Sequence, residues 1–261
     1  MLCLYDSGVG GLSVASRLIQ KRPNLAFTYL ADNAFLPLGS KSQFEIKNRL
    51  QDVSSKVLLT HNLVVQVCNT ASVNTVRYLQ SEFLPTHFAC QHKQVLGISK
   101  PILELVQSSA LVGSRIGILA TPATLKSNFY QSELKKLGFE SFDLSADYLA
   151  MAIEKSDYNS CEKILKNLPQ LDFDYVLLAC THYSWVIDLI STIFANSQII
   201  DPADYIADKI LTYIDKHSEY DSNRTKYHFE QIKLLTTGNE LDFEKQIKKL
   251  GFEQNVLNYR I

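Results

Sequence analysis

The chain has 261 residues, of which 46% are hydrophobic and 20% charged, and its formal net charge at pH 7 is -1. This length accommodates one or two domains with substantial cores, and we favour two. The near-neutral charge argues against a nucleic acid or an acidic membrane surface as the main partner. No apolar run reaches membrane-spanning length, and the first residues carry no basic region or cleavage site, so we expect a cytoplasmic protein.

The five cysteines lack CxxC spacing and fit neither a disulfide framework nor a zinc site. We therefore expect reduced thiols. Cysteine is among the most buried residue types, and Cys3, Cys90 and Cys161 are predicted to be small core hydrophobes.

The chain opens with an alternation of strands and helices. Residues 2–5 predict a buried strand, and the turn Asp6-Ser7-Gly8-Val9-Gly10-Gly11 leads into a helix over about 12–21. The dinucleotide-binding fingerprint needs a glycine where Ser13 stands. The turn is therefore either a functional loop or a plain strand-to-helix connection.

A second strand (27–31) ends at Asp32 and precedes a loop that contains Pro37-Leu38-Gly39. After a long helix (42–61), an apolar run beginning at residue 63 ends in Cys68-Asn69-Thr70-Ala71-Ser72, and a helix over 70–79 follows. Cys68 is thus predicted at the carboxyl end of a strand and ahead of a helix, where α/β proteins place ligands and reactive groups.

The same design returns in the second half, after a short strand (95–98) and a helix that proline 101 opens. The predicted elements are a strand (116–120), a turn (121–124), a helix (125–137), a strand (139–144), helices (148–155 and 159–167) and a strand that ends in Cys180-Thr181-His182-Tyr183. The rest of the chain is predicted to contain a strand (198–200), a helix (203–217), a polar surface loop (218–226) and a last helix between segments 234–238 and 255–261. Such alternation predicts an α/β fold with parallel sheets flanked by helices.

The two strand-end thiols indicate acid/base or nucleophilic chemistry. A helix amino terminus or a basic neighbour lowers a thiol pKa, and we expect the helix effect at both Cys68 and Cys180. His182, Asp6 and Glu154 are candidates to assist them, although His182 could equally be a structural histidine. If two similar halves face each other, the thiols reach one cleft from opposite sides, as inversion of a carbon centre by proton transfer requires. A redox pair is the competing interpretation, but it usually needs closely spaced cysteines.

The three motifs that begin at Asp6, Cys68 and Cys180 resemble, in this order and spacing, those of bacterial glutamate racemases. Thr236-Thr237-Gly238 resembles the closing motif of that family, so the resemblance covers nearly the whole chain. The resemblance implies a racemase that needs no cofactor, acts on glutamate and supplies D-glutamate to peptidoglycan synthesis. It also implies two pseudo-symmetric domains with the active site between them. We place the first domain at residues 1–93 and 205–261 and the second at 94–204.

The resemblance also implies the roles of individual residues. Cys68 and Cys180 would be the acid/base pair, Asp6 would support Cys68, and His182 with Glu154 would support Cys180; Asp32 would lie near the first site. The substrate would be held by Ser7, Pro37, Leu38, Gly39, Asn69, Thr70, Thr121, Thr124 and Thr181. A cell-wall precursor as activator and a homodimer are further expectations, both left open by the sequence.

The sequence departs from the family pattern at three places. Leu38 replaces a tyrosine, Ser184 replaces a proline, and the segment before Glu154 lacks a proline. Because Leu38 alters one wall of the expected pocket, racemisation of aspartate or another amino acid stays open. A non-catalytic amino-acid-binding regulator is the alternative from a different class.

Overall fold

A computed structural model describes residues 1–89, 92–217, 220 and 232–261. Cys90 and most of the predicted loop 218–226 lie outside the described residues. The strands, in chain order, are β1 (Leu2–Asp6), β2 (Phe27–Ala31), β3 (Leu63–Gln66), β4 (Gln94–Gly97), β5 (Arg115–Ala120), β6 (Glu140–Ser145), β7 (Tyr175–Ala179), β8 (Gln198–Ile200), β9 (Ile232–Thr236) and β10 (Val256–Asn258).

The helices alternate with these strands, as the sequence predicts. They are α1 (Leu12–Lys21), α2 (Gln43–Thr60), α3 (Asn69–Tyr78), α4 (Leu84–His87), α5 (Ser99–Ser109), α6 (Pro122–Lys126), α7 (Phe129–Lys136), α8 (Leu149–Glu154), α9 (Tyr158–Lys166), α10 (Ile187–Ile193), α11 (Ala203–Lys216) and α12 (Glu240–Lys249). A π-helical turn (Leu79–Phe83) joins α3 to α4, and Thr181–Val186 forms a 3-10 helix. Among the described residues, no helix combines the length and apolarity needed to cross a lipid bilayer.

The strands form two entirely parallel sheets, which confirms the predicted α/β class. The first sheet has the order β10-β9-β2-β1-β3-β4, and the second has the order β6-β5-β7-β8. The strands β1, β2 and β3 are buried along their whole length, as in sheets with helices on both faces. One hydrophobic cluster includes Leu4 of β1, Ile118 of β5 and Ile206 of α11, so a continuous apolar core links the two sheets.

Two details differ from the sequence-based prediction. The expected helix 125–137 is two helices, α6 and α7, because Asn128 adopts a left-handed backbone with φ of 56° between them. Asparagine tolerates this conformation better than most residues. The boundary predicted after residue 93 precedes β4, which pairs with β3 of the first sheet, so the sheets divide after β4. The division into a discontinuous first domain and a second domain stays a proposal.

A buried ion pair joins the ends of the first sheet's strands. Asp32, which follows β2, accepts hydrogen bonds from Nε and Nη2 of Arg49 at 2.9 and 2.6 Å. It also accepts bonds from the hydroxyls of Tyr5, at 3.2 Å, and Thr237, at 2.7 Å. The side chain of Asp32 is 1% exposed. Asp32 and the closing Thr236-Thr237-Gly238 motif therefore fasten β1, β2, β9 and α2 together.

Removal of the cation of this pair should destabilise the fold strongly. Arg49→Met leaves the Asp32 carboxylate buried without its cation, and we expect a loss of about 3 kcal/mol in the free energy of unfolding, measured by urea denaturation. The matched control is Arg22→Met, which breaks an ion pair with the exposed Asp215 and should cost less than about 1 kcal/mol. Equal losses in the two variants would contradict the structural role of Asp32.

Candidate active site

A pocket lies where the carboxyl ends of the two sheets face each other. Its walls come from the segments that follow β1, β2 and β3 in the first sheet and β5, β6 and β7 in the second. Because parallel strands bring their carboxyl ends to one edge of a sheet, residues far apart in sequence meet here. Among the residues that the structure describes, no lysine or arginine lines this pocket.

Cys68 and Cys180 both line the pocket, and both are buried, with 5% and 7% of their surface exposed. The Cys68 Sγ lies 3.7 Å from the Ser7 hydroxyl oxygen. Burial, and after it the charge of Asp6, raises the pKa of the Cys68 thiol well above its usual range; the Ala71 N–H and the Ser7 hydroxyl oppose this rise. The expectation of a lowered pKa at Cys68 is wrong, since desolvation outweighs the opposing N–H group of the helix terminus.

Two side chains in series, His182 and Glu154, support Cys180. The His182 Nδ1 lies 3.8 Å from the Cys180 Sγ, and the His182 Nε2 lies 2.7 Å from Oε1 of Glu154. Burial opposes a charge on His182, but its hydrogen bonds with Cys180 and Glu154 outweigh this penalty and raise the pKa of His182 well above its usual range. A charged His182 donates one N–H to Glu154 and points the other at the sulfur, where it stabilises a thiolate.

Asp6 connects the two halves of the site. Its Oδ1 accepts the Gly8 N–H at 2.8 Å, and its Oδ2 accepts the Thr181 hydroxyl at 3.0 Å. Burial raises the pKa of Asp6 to about 6, although the charge of His182 and the two donors to the carboxylate oppose the rise. Asp6 makes no hydrogen bond with Cys68 in the described part of the chain, so it influences this thiol through its charge.

The glycine-rich turn after β1 makes room for the side chains of Glu154 and His182, which come from the other sheet's layer. A Cβ atom on Gly8 would lie 1.9 Å from Oε1 of Glu154, and one on Gly10 would lie 2.4 Å from Nδ1 of His182. Oε1 of Glu154 also accepts the Val9 N–H at 2.8 Å. The turn is therefore more than a connection. The absence of side chains at Gly8 and Gly10 leaves space for Glu154 and His182, and the Val9 N–H binds Glu154.

Neutral hydroxyl groups from the segments after β3 and β5 cluster at the pocket. The hydroxyl of Thr70 lies 2.9 Å from that of Thr121 and 3.1 Å from that of Thr124, and the last two are 3.0 Å apart. Each hydroxyl has one proton, so one of them can turn outward at the cost of one internal bond. The Asn69 Nδ2 beside this ring is buried without a hydrogen-bond partner. Such groups bind carboxylates without adding a base.

The structure brings together all the residues that the sequence predicts for the site. Those that line the pocket are Ser7, Pro37, Leu38, Gly39, Cys68, Asn69, Thr70, Thr121, Cys180, Thr181 and His182, whereas Asp6, Thr124 and Glu154 lie behind them and bond to the lining. Asp32 does not line the pocket, but it lies beside the first site as expected: its N–H donates to the Asp6 carbonyl at 2.8 Å, while Arg49 and Thr237 bind its carboxylate. Ser184, the departure after the histidine motif, donates its hydroxyl to Asp201 at 2.8 Å.

Sequence reasoning missed one wall of the pocket. The segment after β6 contributes Ala146, Asp147, Tyr148, Ala150 and Met151, and the other missed lining residues are Leu36, Ser40 and Pro122. The signal that could have found this wall is positional, since Ala146 and Asp147 lie between a predicted strand (139–144) and a predicted helix (148–155). Tyr148 is exposed, and its backbone has a φ of 63°.

The raised pKa of Asp6 predicts how its removal changes stability with pH. Because the folded protein holds the proton of Asp6 more tightly than the unfolded chain does, protonation of Asp6 stabilises the fold. This stabilisation is fully present below the usual pKa of 3.8 and is lost as the pH rises through about 6. The neutral amide in Asp6→Asn avoids this loss. At about 1.4 kcal/mol per pKa unit, the variant should unfold with a free energy up to about 3 kcal/mol above that of the wild type at pH 8, and this advantage should shrink toward pH 4.

Urea denaturation at pH 4, 6 and 8 measures this difference. Asp172→Asn, which changes an exposed aspartate, is the control and should show no such trend. An advantage for Asp6→Asn that grew toward pH 4 would contradict the assignment of a buried, ionised Asp6.

Known proteins resemble this chain along nearly its whole length. No family model matches the sequence. A curated glutamate racemase from Lactobacillus acidophilus is 32% identical over 93% of this chain and 90% of its own length. The crystal structure of glutamate racemase isoform RacE1 from Bacillus anthracis superposes with a TM-score of 0.84 at 25% identity, over 100% of this chain and 97% of that one.

A third similar protein shows the fold in a complex. Escherichia coli glutamate racemase with L-glutamate and the activator UDP-MurNAc-Ala has a TM-score of 0.76 at 22% identity, and the match covers 99% of this chain and 98% of that one. The 32% identity to a curated glutamate racemase, over 93% of this chain and 90% of that protein, shows that the chain belongs to the glutamate racemase family.

Proposed function

We propose that this chain interconverts L-glutamate and D-glutamate, with Cys68 and Cys180 as the groups that move the α-proton. One observation carries the proposal: two buried thiols line a single pocket, and each comes from a loop of a different sheet. Two acid/base groups that reach one pocket from different sheets match the demand of racemisation, which removes a proton from one face of a carbon and returns one to the other face.

The reaction consists of two proton transfers. A thiolate takes the α-proton, the C–H bond breaks, an S–H bond forms, and the electron pair stays on the α-carbon. The S–H bond of the second cysteine then breaks as its proton goes to the opposite face of that carbon. The first cysteine ends as thiol and the second as thiolate, so the opposite enantiomer uses the same groups in reversed roles.

Charges around the thiols make these transfers feasible. His182, whose raised pKa favours the charged imidazolium, stabilises a thiolate on Cys180, and Glu154 holds the ring in place. On the other side, a bound amino acid would bring its ammonium group into a pocket that has the carboxylate of Asp6 directly behind its lining residue Thr181. This positive charge favours the thiolate of Cys68, which burial alone disfavours.

The substrate's carboxylates would be held by neutral donors. The Asn69 Nδ2, the hydroxyls of Thr70, Thr121 and Thr124, Ser7, Thr181 and the Gly39 backbone are the groups that we assign to this task. They stabilise the negative charge that develops when the α-proton leaves, and they do not compete for that proton. Pro37 and Leu38 form the apolar part of the wall.

The two cysteines should be indispensable for turnover. We expect Cys68→Ser and Cys180→Ser each to lower kcat by more than about 1000-fold, the scale of a lost acid/base group, because each leaves one face of the α-carbon without a proton donor. Circular dichroism of L-glutamate, with no pyridoxal phosphate or metal added, measures the rate.

Cys161→Ala is the control, since this buried thiol belongs to α9 and lines none of the pocket. Near-normal turnover by either active-site variant would refute the two-thiol mechanism. A parallel assay of L-aspartate tests whether Leu38 changes the substrate preference. If aspartate is turned over faster than glutamate, aspartate is the substrate. If the wild type turns over neither, the chain is a non-catalytic binder.

We further propose that the product feeds peptidoglycan synthesis in the cytoplasm and that a cell-wall precursor activates the enzyme. The support is the similar Escherichia coli structure, which contains UDP-MurNAc-Ala as activator. The homodimer stays a prediction.

Activation should be measurable in the same assay. UDP-MurNAc-Ala should raise kcat/KM for L-glutamate about tenfold, within the usual range of coupling between sites, whereas UDP alone is the control. An unchanged kcat/KM at saturating precursor would contradict this part of the proposal.

A further inference from the structure

The Asn69 amide can face the pocket in two orientations. Asn69 is 2% exposed and lines the pocket, and its Nδ2 has no partner among the described residues. A carboxylate would be bound if the NH2 group faced the pocket and repelled if the carbonyl oxygen did. Because the two ends of an amide are nearly equal in size, packing alone does not select between them.

A tyrosine from the layer of the other sheet selects one orientation of the Asn69 amide. Tyr130 is fully buried, and its hydroxyl donates a hydrogen bond to Oδ1 of Asn69. No other acceptor contacts this hydroxyl in the part of the chain that the structure describes. Burial raises the pKa of Tyr130 well above its usual range, so the phenol keeps its proton. A buried O–H must be satisfied, and Asn69 can satisfy it only with its oxygen.

We propose that Tyr130 is a positioning residue that turns the NH2 group of Asn69 into the pocket and so sets its capacity to bind the substrate's carboxylate. This inference rests on the proposed function for the identity of the ligand. The orientation of the amide itself follows from the contacts of Tyr130 alone.

The helix break described above brings Tyr130 to this position. Tyr130 is the second residue of α7, which starts directly after the left-handed Asn128. The Ser127 hydroxyl donates to the carbonyl of Thr124 at 2.6 Å and accepts the Phe129 N–H at 3.3 Å, so the break leaves these backbone groups paired. The same segment thus presents Thr121 to the pocket, with Thr124 bonded behind it, and Tyr130 to the amide of Asn69.

Tyr130→Phe tests the inference because it removes the hydroxyl and keeps the ring. The amide would then turn freely, and we expect KM for L-glutamate to rise about tenfold, the scale of one hydrogen bond. The value of kcat should stay within about threefold, since the Asn69 N–H contacts the carboxylate before and during proton transfer. A KM unchanged from the wild type would overturn the inference.

A double-mutant cycle separates positioning from mere packing. If Tyr130 acts through Asn69, Tyr130→Phe should change KM less than twofold in an Asn69→Ala background. A tenfold rise in both backgrounds would assign Tyr130 a structural role and overturn the inference. Tyr78→Phe is the matched control: the Tyr78 hydroxyl donates to the amide oxygen of Gln51 at 2.8 Å, outside the pocket lining, and its loss should leave KM unchanged.

A measurement without turnover distinguishes failure of this inference from failure of the proposed function. In protein labelled with nitrogen-15, the NH2 resonances of Asn69 are identified by their loss in Asn69→Ala. They should shift in Tyr130→Phe and stay in place in Tyr78→Phe. A shift in a protein that does not racemise glutamate would support the orientation and refute the function. No shift would overturn the orientation, whatever the activity.

Discussion

One carboxylate oxygen holds the two halves of the site together. Oε1 of Glu154, which ends α8 on the second sheet, accepts both the His182 Nε2 and the N–H of Val9 in the turn after β1. This contact has almost no access to water, since Glu154 and His182 are 4% and 3% exposed. Buried charges persist only when each is compensated. The position of His182, and through it that of Cys180, therefore depends on the first sheet as much as on the second.

Compensation of charge also explains the asymmetry between the thiols. Cys180 has a charged donor next to it, whereas the groups that oppose the burial of Cys68 among the described residues are the Ser7 hydroxyl and the Ala71 N–H. Asp6 adds a negative charge near Cys68, and its own raised pKa records the cost of that burial. His182 therefore supplies a compensating positive charge beside Cys180, whereas no lysine or arginine among the described residues lines the pocket beside Cys68.

The sequence predicted the strand-end cysteines and the parallel α/β class because both depend on local patterns. Buried parallel strands appear as short apolar runs, and the residue that ends such a run lies at the edge where sites form. Glu154 was predicted from resemblance, and its bond with His182 is consistent with the supporting role expected of it. Local patterns do not reveal which distant elements contact each other. The sequence therefore did not predict the ion pair between Arg49 and Asp32 or the pairing of β4 with β3 in the first sheet. It also did not predict the hydrogen bond from Tyr130 to Asn69. The lowered pKa expected for Cys68 was wrong because a sequence reveals the helix terminus but not the desolvation that outweighs it.

The glycines of the turn after β1 have a consequence for how this chain can change. Gly8 and Gly10 are shaped around Glu154 and His182, which are encoded more than 140 residues later, so each half of the gene constrains the other at these positions. A chimera that joined the first sheet of one racemase to the second sheet of another would work only if the turn and the histidine-glutamate pair still fitted each other. The residues at the interface between the sheets must therefore change together, although they come from separate stretches of the sequence.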